Sequence, residues 1–184
     1  MKKLITICLT ALFVMGAAGF AVAEDVDVHA NEGKLLKEFR AEIPEDHIVD
    51  AKALHDVWMK RKKGESDAYL IDVRTDSEYR AFHIEGTDHI QAGHWYHIPD
   101  KIKDPNTPIY IWCRTQHRGA YVTGFLYKIG YKNVYLVEEG VLGWAKQGYP
   151  FVNKFTGNFK ITGYRKKPSD FETEGYKIRE WPLW

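Results

Sequence analysis

Hydrophobic residues along this chain fall into short blocks that alternate between two periods. Ile48-Val49, Ala68–Val73, Pro108–Trp112 and Asn133–Val137 are brief apolar runs with β-branched and aromatic members, and they predict buried strands. Between them, apolar positions recur at helical spacing. Ala53, Leu54, Val57 and Trp58 follow Asp50, a helix N-cap, and Glu78, Tyr79 and Phe82 follow Asp76, which can cap a shorter helix. Tyr121, Val122, Phe125, Leu126 and Ile129 share one helical stripe, with Gly130 placed to end it, and Val141, Leu142 and Trp144 form a last short helix that Gly148-Tyr149-Pro150 stops. Residues 88–91 read as a weak strand or loop. Strands alternating with short helices predict an α/β fold, a small parallel sheet with helices on both faces and ligands at the carboxyl ends of the strands.

The flanks differ from this pattern. Lys2 and Lys3 precede an apolar run from Leu4 to Phe20, and Ala21-Val22-Ala23 offers a small-x-small cleavage pattern. Residues 1–23 therefore read as a secretory signal peptide, which predicts an exported protein, periplasmic or extracellular, with no stable membrane span after cleavage. Residues 24–47 are polar, with Leu35, Leu36 and Phe39 on a possible short helix, and read as an N-terminal arm. Residues 48–152 form the domain. Residues 153–184 have no period but carry Phe155, Phe159, Tyr164, Phe171, Tyr176, Trp181 and Trp184, a density unlike a disordered tail. The expectation is a C-terminal extension wrapped in an extended path, with Trp181 or Trp184 as anchors.

Charge excludes one class of partner. The formal net charge of +1 falls to −1 when Lys2 and Lys3 leave with the signal, so there is no electrostatic case for nucleic acid. Cysteine usage is more informative. Cys8 lies within the signal, so the exported chain keeps Cys113 alone in a compartment that favours disulfides. A solitary thiol there is either buried and inert or present for its reactivity.

The surroundings of Cys113 favour reactivity. It ends a strand and opens a short loop, Cys113-Arg114-Thr115-Gln116-His117-Arg118-Gly119, that leads into a helix. A helix start presents unpaired backbone N–H groups and about half a unit of positive charge. Arg114, Arg118 and His117 add to it, and all of these favour the thiolate over the thiol. The same amides form a concavity suited to an anion. The loop reads as a nucleophile in an anion-binding cradle.

Four segments in order, Leu70-Ile-Asp-Val-Arg74, Glu78-Tyr-Arg-Ala-Phe-His-Ile-Glu-Gly86, Cys113–Arg118 and Val134–Trp144, resemble the rhodanese (sulfurtransferase) family. The resemblance covers about residues 48 to 152. It implies that Cys113 is a catalytic nucleophile carrying a persulfide and that residues 114–119 bind a small sulfur-containing anion. It also implies a substrate-binding role for Arg74, after the family's Asp-x-Arg, and a structural one for Asp72. The acceptor would be a thiol, cyanide or a protein, and no metal or organic cofactor is called for. Gln116 stands where many members have glycine, which bears on whether thiosulfate is the donor. The C-x4-R spacing from Cys113 to Arg118 is the sulfurtransferase length; phosphatase and arsenate-reductase relatives have one more residue.

Two other functions compete. A non-catalytic binding module for a partner protein or small anion would tolerate an inert Cys113. A metal site could be drawn from His83, His89, His94 and His97, although no acid or thiol completes a recognisable spacing. A dithiol oxidoreductase is disfavoured, because there is no Cys-x-x-Cys and no second cysteine in the exported chain.

Overall fold

A computed structural model of the chain describes residues 26–162. The signal segment 1–23 and the aromatic residues from Tyr164 to Trp184, including both proposed anchors, lie outside the described residues.

Chain order is α1 (Val28–Ala41), β1 (Ile48–Val49), α2 (Ala51–Lys62), β2 (Tyr69–Asp72), α3 (Asp76–Ala81), β3 (Asp88–His89), α4 (Ile98–Lys101), β4 (Ile109–Trp112), α5 (His117–Lys128), β5 (Val134–Val137), α6 (Gly140–Lys146), β6 (Phe151–Asn153) and β7 (Gly157–Phe159). The first five strands form one sheet in the order β1-β5-β4-β2-β3, and every pair is parallel.

Both faces of the sheet are covered, which explains why its strands read as unbroken apolar runs rather than alternating ones. Along β4, Ile109 and Ile111 join a cluster with Val122 and Leu126 of α5, whereas Tyr110 and Trp112 face Leu54 and Trp58 of α2 and Trp144 of α6. Strand alternation carries Cys113, the next residue, to the α5 side.

Helix ends follow from local chemistry. Asp50 caps α2 by accepting the N–H of Ala53 at 2.8 Å, as the sequence suggests. At α3 the cap is Thr75 rather than Asp76. Thr75 and Glu78 form a reciprocal capping box, which places Asp76 inside the first turn. After α5, Gly130 takes a φ of 105°, and the N–H groups of Gly130 and Tyr131 return to the carbonyls of Tyr127 and Leu126. That is a Schellman closure, which needs a residue tolerant of positive φ.

Three stretches depart from the periodic reading. Residues 28–41 form a full helix, longer than the short one expected, and it docks on α5. Leu36 packs toward Ile43, Ala120 and Leu136, and Phe39 meets Tyr121 edge-on at 5.4 Å. The approach is so close that a Cβ on Gly124 would sit 2.2 Å from the Phe39 carbonyl oxygen. Residues 92–97 form a 3-10 turn that runs into α4 and carries no apolar stripe long enough to be seen in the sequence, whereas residues 88–89 pair as a short strand within the weak strand or loop expected there. At the C-terminal side, β6 and β7 pair antiparallel, with Phe159 and Ile161 against the α2/α6 core, while Phe155 at the turn is 86% exposed.

A buried ion pair fixes the end of β2. The Asp72 carboxylate accepts the N–H of Arg74, its Nε and its Nη2 at 2.7–3.0 Å, and Nη2 also donates to the Phe82 carbonyl. Both side chains are wholly buried. Removing one partner strands the other charge in the core, so Arg74→Ala should lower stability by about 3–5 kcal/mol in denaturant unfolding.

Candidate active site

The sheet order sets where a ligand can bind. The connection from β2 runs outward to β3, and that from β4 runs the other way to β5, so the topological switch lies between β2 and β4. Crevices form outside the carboxyl ends of strands at such a point. Cys113 follows β4 there, and Arg74 follows β2.

Residues 113–116 cross from β4 to α5. Their carbonyls are received by the start of α6: the N–H of Val141 donates to Cys113 O at 3.0 Å, and that of Leu142 to Arg114 O at 3.2 Å. The contact is possible because residue 140 is glycine. Gly140 has a φ of 46°, and a Cβ there would lie 2.1 Å from Cys113 O and 2.6 Å from Thr115 O. Glu139 precedes it with a φ of 55°, so the β5–α6 turn is left-handed at two successive residues and brings α6 against the loop.

Each residue singled out in the sequence has a definite place. Cys113 is 1% exposed, under the first turn of α5. Arg114 is buried, Thr115 is half-buried and Gln116 is exposed. Gly119 lies buried in the first turn of α5, near the Trp112 Cα. The Arg118 guanidinium lies within electrostatic reach of the Cys113 sulfur, which helps to raise its pKa. It is also clasped by Glu78 of α3, through contacts of 2.6 and 2.9 Å. Gln116 and His117 are held from outside. Arg40 donates to Gln116 Oε1 at 2.8 Å, and His117 Nε2 meets Glu32 Oε1 at 2.8 Å. Arg74 is committed to Asp72 and Phe82, with its Nη1 lacking a hydrogen-bond partner among the described residues.

Electrostatics follow from these pairs. Burial raises the Glu78 pKa, but the Arg118 hydrogen bond and the capping contacts from Thr75 outweigh it and bring the carboxyl to about 2. Burial alone would lower the Arg118 pKa, and Glu78 with Cys113 more than offset that and raise it. Because the folded pKa of Glu78 lies below its ordinary value of 4.5, the pair stabilises the fold above about pH 4.5 and loses that contribution as pH falls toward 2. Glu78→Gln should therefore be less stable than wild type above pH 5, with the gap closing on acidification in pH-dependent denaturant melts. On α5, burial and Glu32 push the Tyr121 phenol up to about 12, so it stays a donor to that carboxylate at neutral pH.

Glu78, Gly140, Arg40 and Glu32 were not among the sequence candidates. For Glu78 a signal exists, the Thr75-x-x-Glu78 capping box, but it announces the cap and not the arginine clasp. The other three have no local signature, because they reach the loop only through tertiary contacts.

Among the described residues no group of three or more histidine, cysteine or acidic side chains is arranged to hold a metal. His83 and His89 stack on Tyr79, and His89 Nε2 meets the Arg74 carbonyl. The rings of His94 and His97 are 6.4 Å apart. No helix among those residues is long and apolar enough to cross a membrane.

The chain belongs to the rhodanese-like family, whose rhodanese-like domain matches residues 55–147. Its relatives include proteins named as sulfurtransferases. A candidate sulfur carrier protein of Bacillus subtilis (strain 168) is 29% identical over 118 residues, 62% of this chain, and the match spans 63% of that relative's length. A thiosulfate sulfurtransferase of Tolumonas auensis is 29% identical over 82 residues, covering 45% of this chain and 76% of the relative. Among solved structures, the polysulfide-sulfur transferase homodimer of Wolinella succinogenes shares the fold at a TM-score of 0.52 and 21% identity, covering 70% of this chain and 92% of that one.

Proposed function

We propose that the protein is a rhodanese-type sulfurtransferase that carries a sulfane sulfur as a persulfide on Cys113. The observation that supports this most is the juxtaposition of Cys113 and Arg118 at the switch point of the sheet, with a loop of C-x4-R length between them. The Cys113 thiolate attacks the outer sulfur of a donor such as thiosulfate or an organic persulfide. The Cys113 S–S bond forms as the donor's S–S bond breaks, and the electron pair leaves on sulfite or on a thiolate. Arg118 and the loop amides stabilise the anionic groups in that step. A thiol, cyanide or an acceptor protein then attacks the terminal sulfur and restores the thiolate. No oxidant or cofactor enters this balance.

A second reading, a non-catalytic module that binds a partner or small anion, is favoured by one observation, the near-complete burial of Cys113. Steady-state turnover separates the two. With thiosulfate or glutathione persulfide as donor and cyanide as acceptor, the sulfurtransferase releases thiocyanate over many cycles. Release of none with either donor would leave the binding module. The apolar run and small-x-small pattern at residues 4–23 support export as the setting for this chemistry.

A further inference from the structure

Helix α1 lies outside the stretch matched by the family, yet two of its side chains reach the cysteine loop. Arg40 Nη1 donates to Gln116 Oε1 at 2.8 Å while Nη2 donates to Glu138 Oε1 at 2.8 Å, so one guanidinium ties α1 to the loop and to the β5–α6 turn. Eight residues earlier, about two helical turns and so on the same face, Glu32 Oε1 accepts from the Tyr121 hydroxyl at 2.6 Å and meets His117 Nε2 at 2.8 Å. The helix that carries both is seated by the close Phe39–Gly124 approach.

A carboxamide has two unlike ends, an accepting oxygen and a donating N–H2. With the Arg40 guanidinium on the oxygen, the N–H2 end of Gln116 is turned away from Arg40. Gln116 lines a hollow of about 300 Å³ beside the loop, together with Thr115, Leu142, Glu138 and Glu139. The two carboxylates of that hollow are each matched by a cation, Glu138 by Arg40 and Glu139 by Lys146. Removing Arg40 would free the amide to present its oxygen and would unpair Glu138. Both changes disfavour an incoming anion. Glu32 acts in the opposite sense, since it places a negative charge against His117 at the loop's other flank.

We propose that Arg40 and Glu32 are positioning residues that set the anion preference of the Cys113 loop, Arg40 by fixing the orientation of Gln116 and Glu32 by holding a carboxylate against His117 at the loop's flank. The proposal rests on Cys113 being the reacting thiol and extends that role to selection of the donor. α1 is therefore part of the specificity apparatus rather than a leader.

The test uses the full chain and two probes of matched size, anionic iodoacetate and neutral iodoacetamide, with the ratio of their Cys113 alkylation rates as the readout. Arg40→Ala should lower that ratio by up to about fivefold, the scale of one partly exposed charged contact. Arg40→Lys should lower it less, and Glu32→Gln should raise it. With thiosulfate as donor, Arg40→Ala should raise KM more than it lowers kcat. Equal changes with both reagents, an unmoved ratio, or no alkylation of Cys113 by either reagent would overturn the proposal. A purely structural role would slow both reagents alike and shift the melting temperature. The ratio does not depend on sulfur transfer, so a wild type that alkylates with the expected ratios but forms no persulfide would sink the sulfurtransferase reading and not this one.

Discussion

Cys113→Ser should form no persulfide and lose sulfur transfer to background, a fall of at least about a thousandfold on the scale of nucleophile removal in covalent catalysis. The fold should persist. Serine is nearly isosteric with cysteine, and the buried position costs at most about 1–3 kcal/mol for placing a hydroxyl among Ile111, Val122 and the other α5-face residues. A melting curve alongside the rate assay separates the two effects. Turnover retained in a folded serine variant would remove Cys113 from the mechanism, and loss of folding would make its role structural.

Gly140→Ala should have the next largest effect, although residue 140 is 27 positions from Cys113 in sequence. The new methyl would fall 2.1 Å from the Cys113 carbonyl oxygen, and the φ of 46° already disfavours a side chain. The loop would have to leave the start of α6, giving up the amide contacts from Val141 and Leu142. Overpacking of about 1–3 kcal/mol and left-handed strain of about 1–2 kcal/mol together make a stability loss of several kcal/mol expected. Activity should fall further than stability accounts for, because the displaced segment is the one that carries Cys113, the nucleophile of the proposed reaction. A variant with full activity and an unchanged melting temperature would show that α6 does not define the loop.

The parts of this architecture that were legible in the sequence are those governed by local period. The β4 run and the α5 stripe are each continuous in the chain, so Cys113 could be placed at the end of a buried strand. The coarse sheet followed from strand–helix alternation. The α1 docking was not legible, because its seat depends on Gly124 and Tyr121 some 80 residues later, and in isolation Leu35, Leu36 and Phe39 mark only a short apolar stripe. The site was half legible for the same reason. Cys113 and Arg118 belong to one segment, whereas Glu78 clasps Arg118 from 40 residues away and Arg40 reaches Gln116 across 76. Gln116 and His117 belong to the loop segment, but the contacts that α1 makes to their side chains, from Arg40 and Glu32, have no local sign in the sequence. Arg74 could not be recognised as a core ion-pair partner from sequence alone, since nothing local distinguishes a buried arginine from one that meets a ligand.

The central claim, that Cys113 carries sulfur, is tested most directly by the intact mass of the protein after exposure to thiosulfate or glutathione persulfide. The predicted result is a gain of one sulfur atom on the wild type, lost on adding a thiol and absent from Cys113→Ser. No gain on the wild type with either donor, or the same gain on Cys113→Ser, would contradict it.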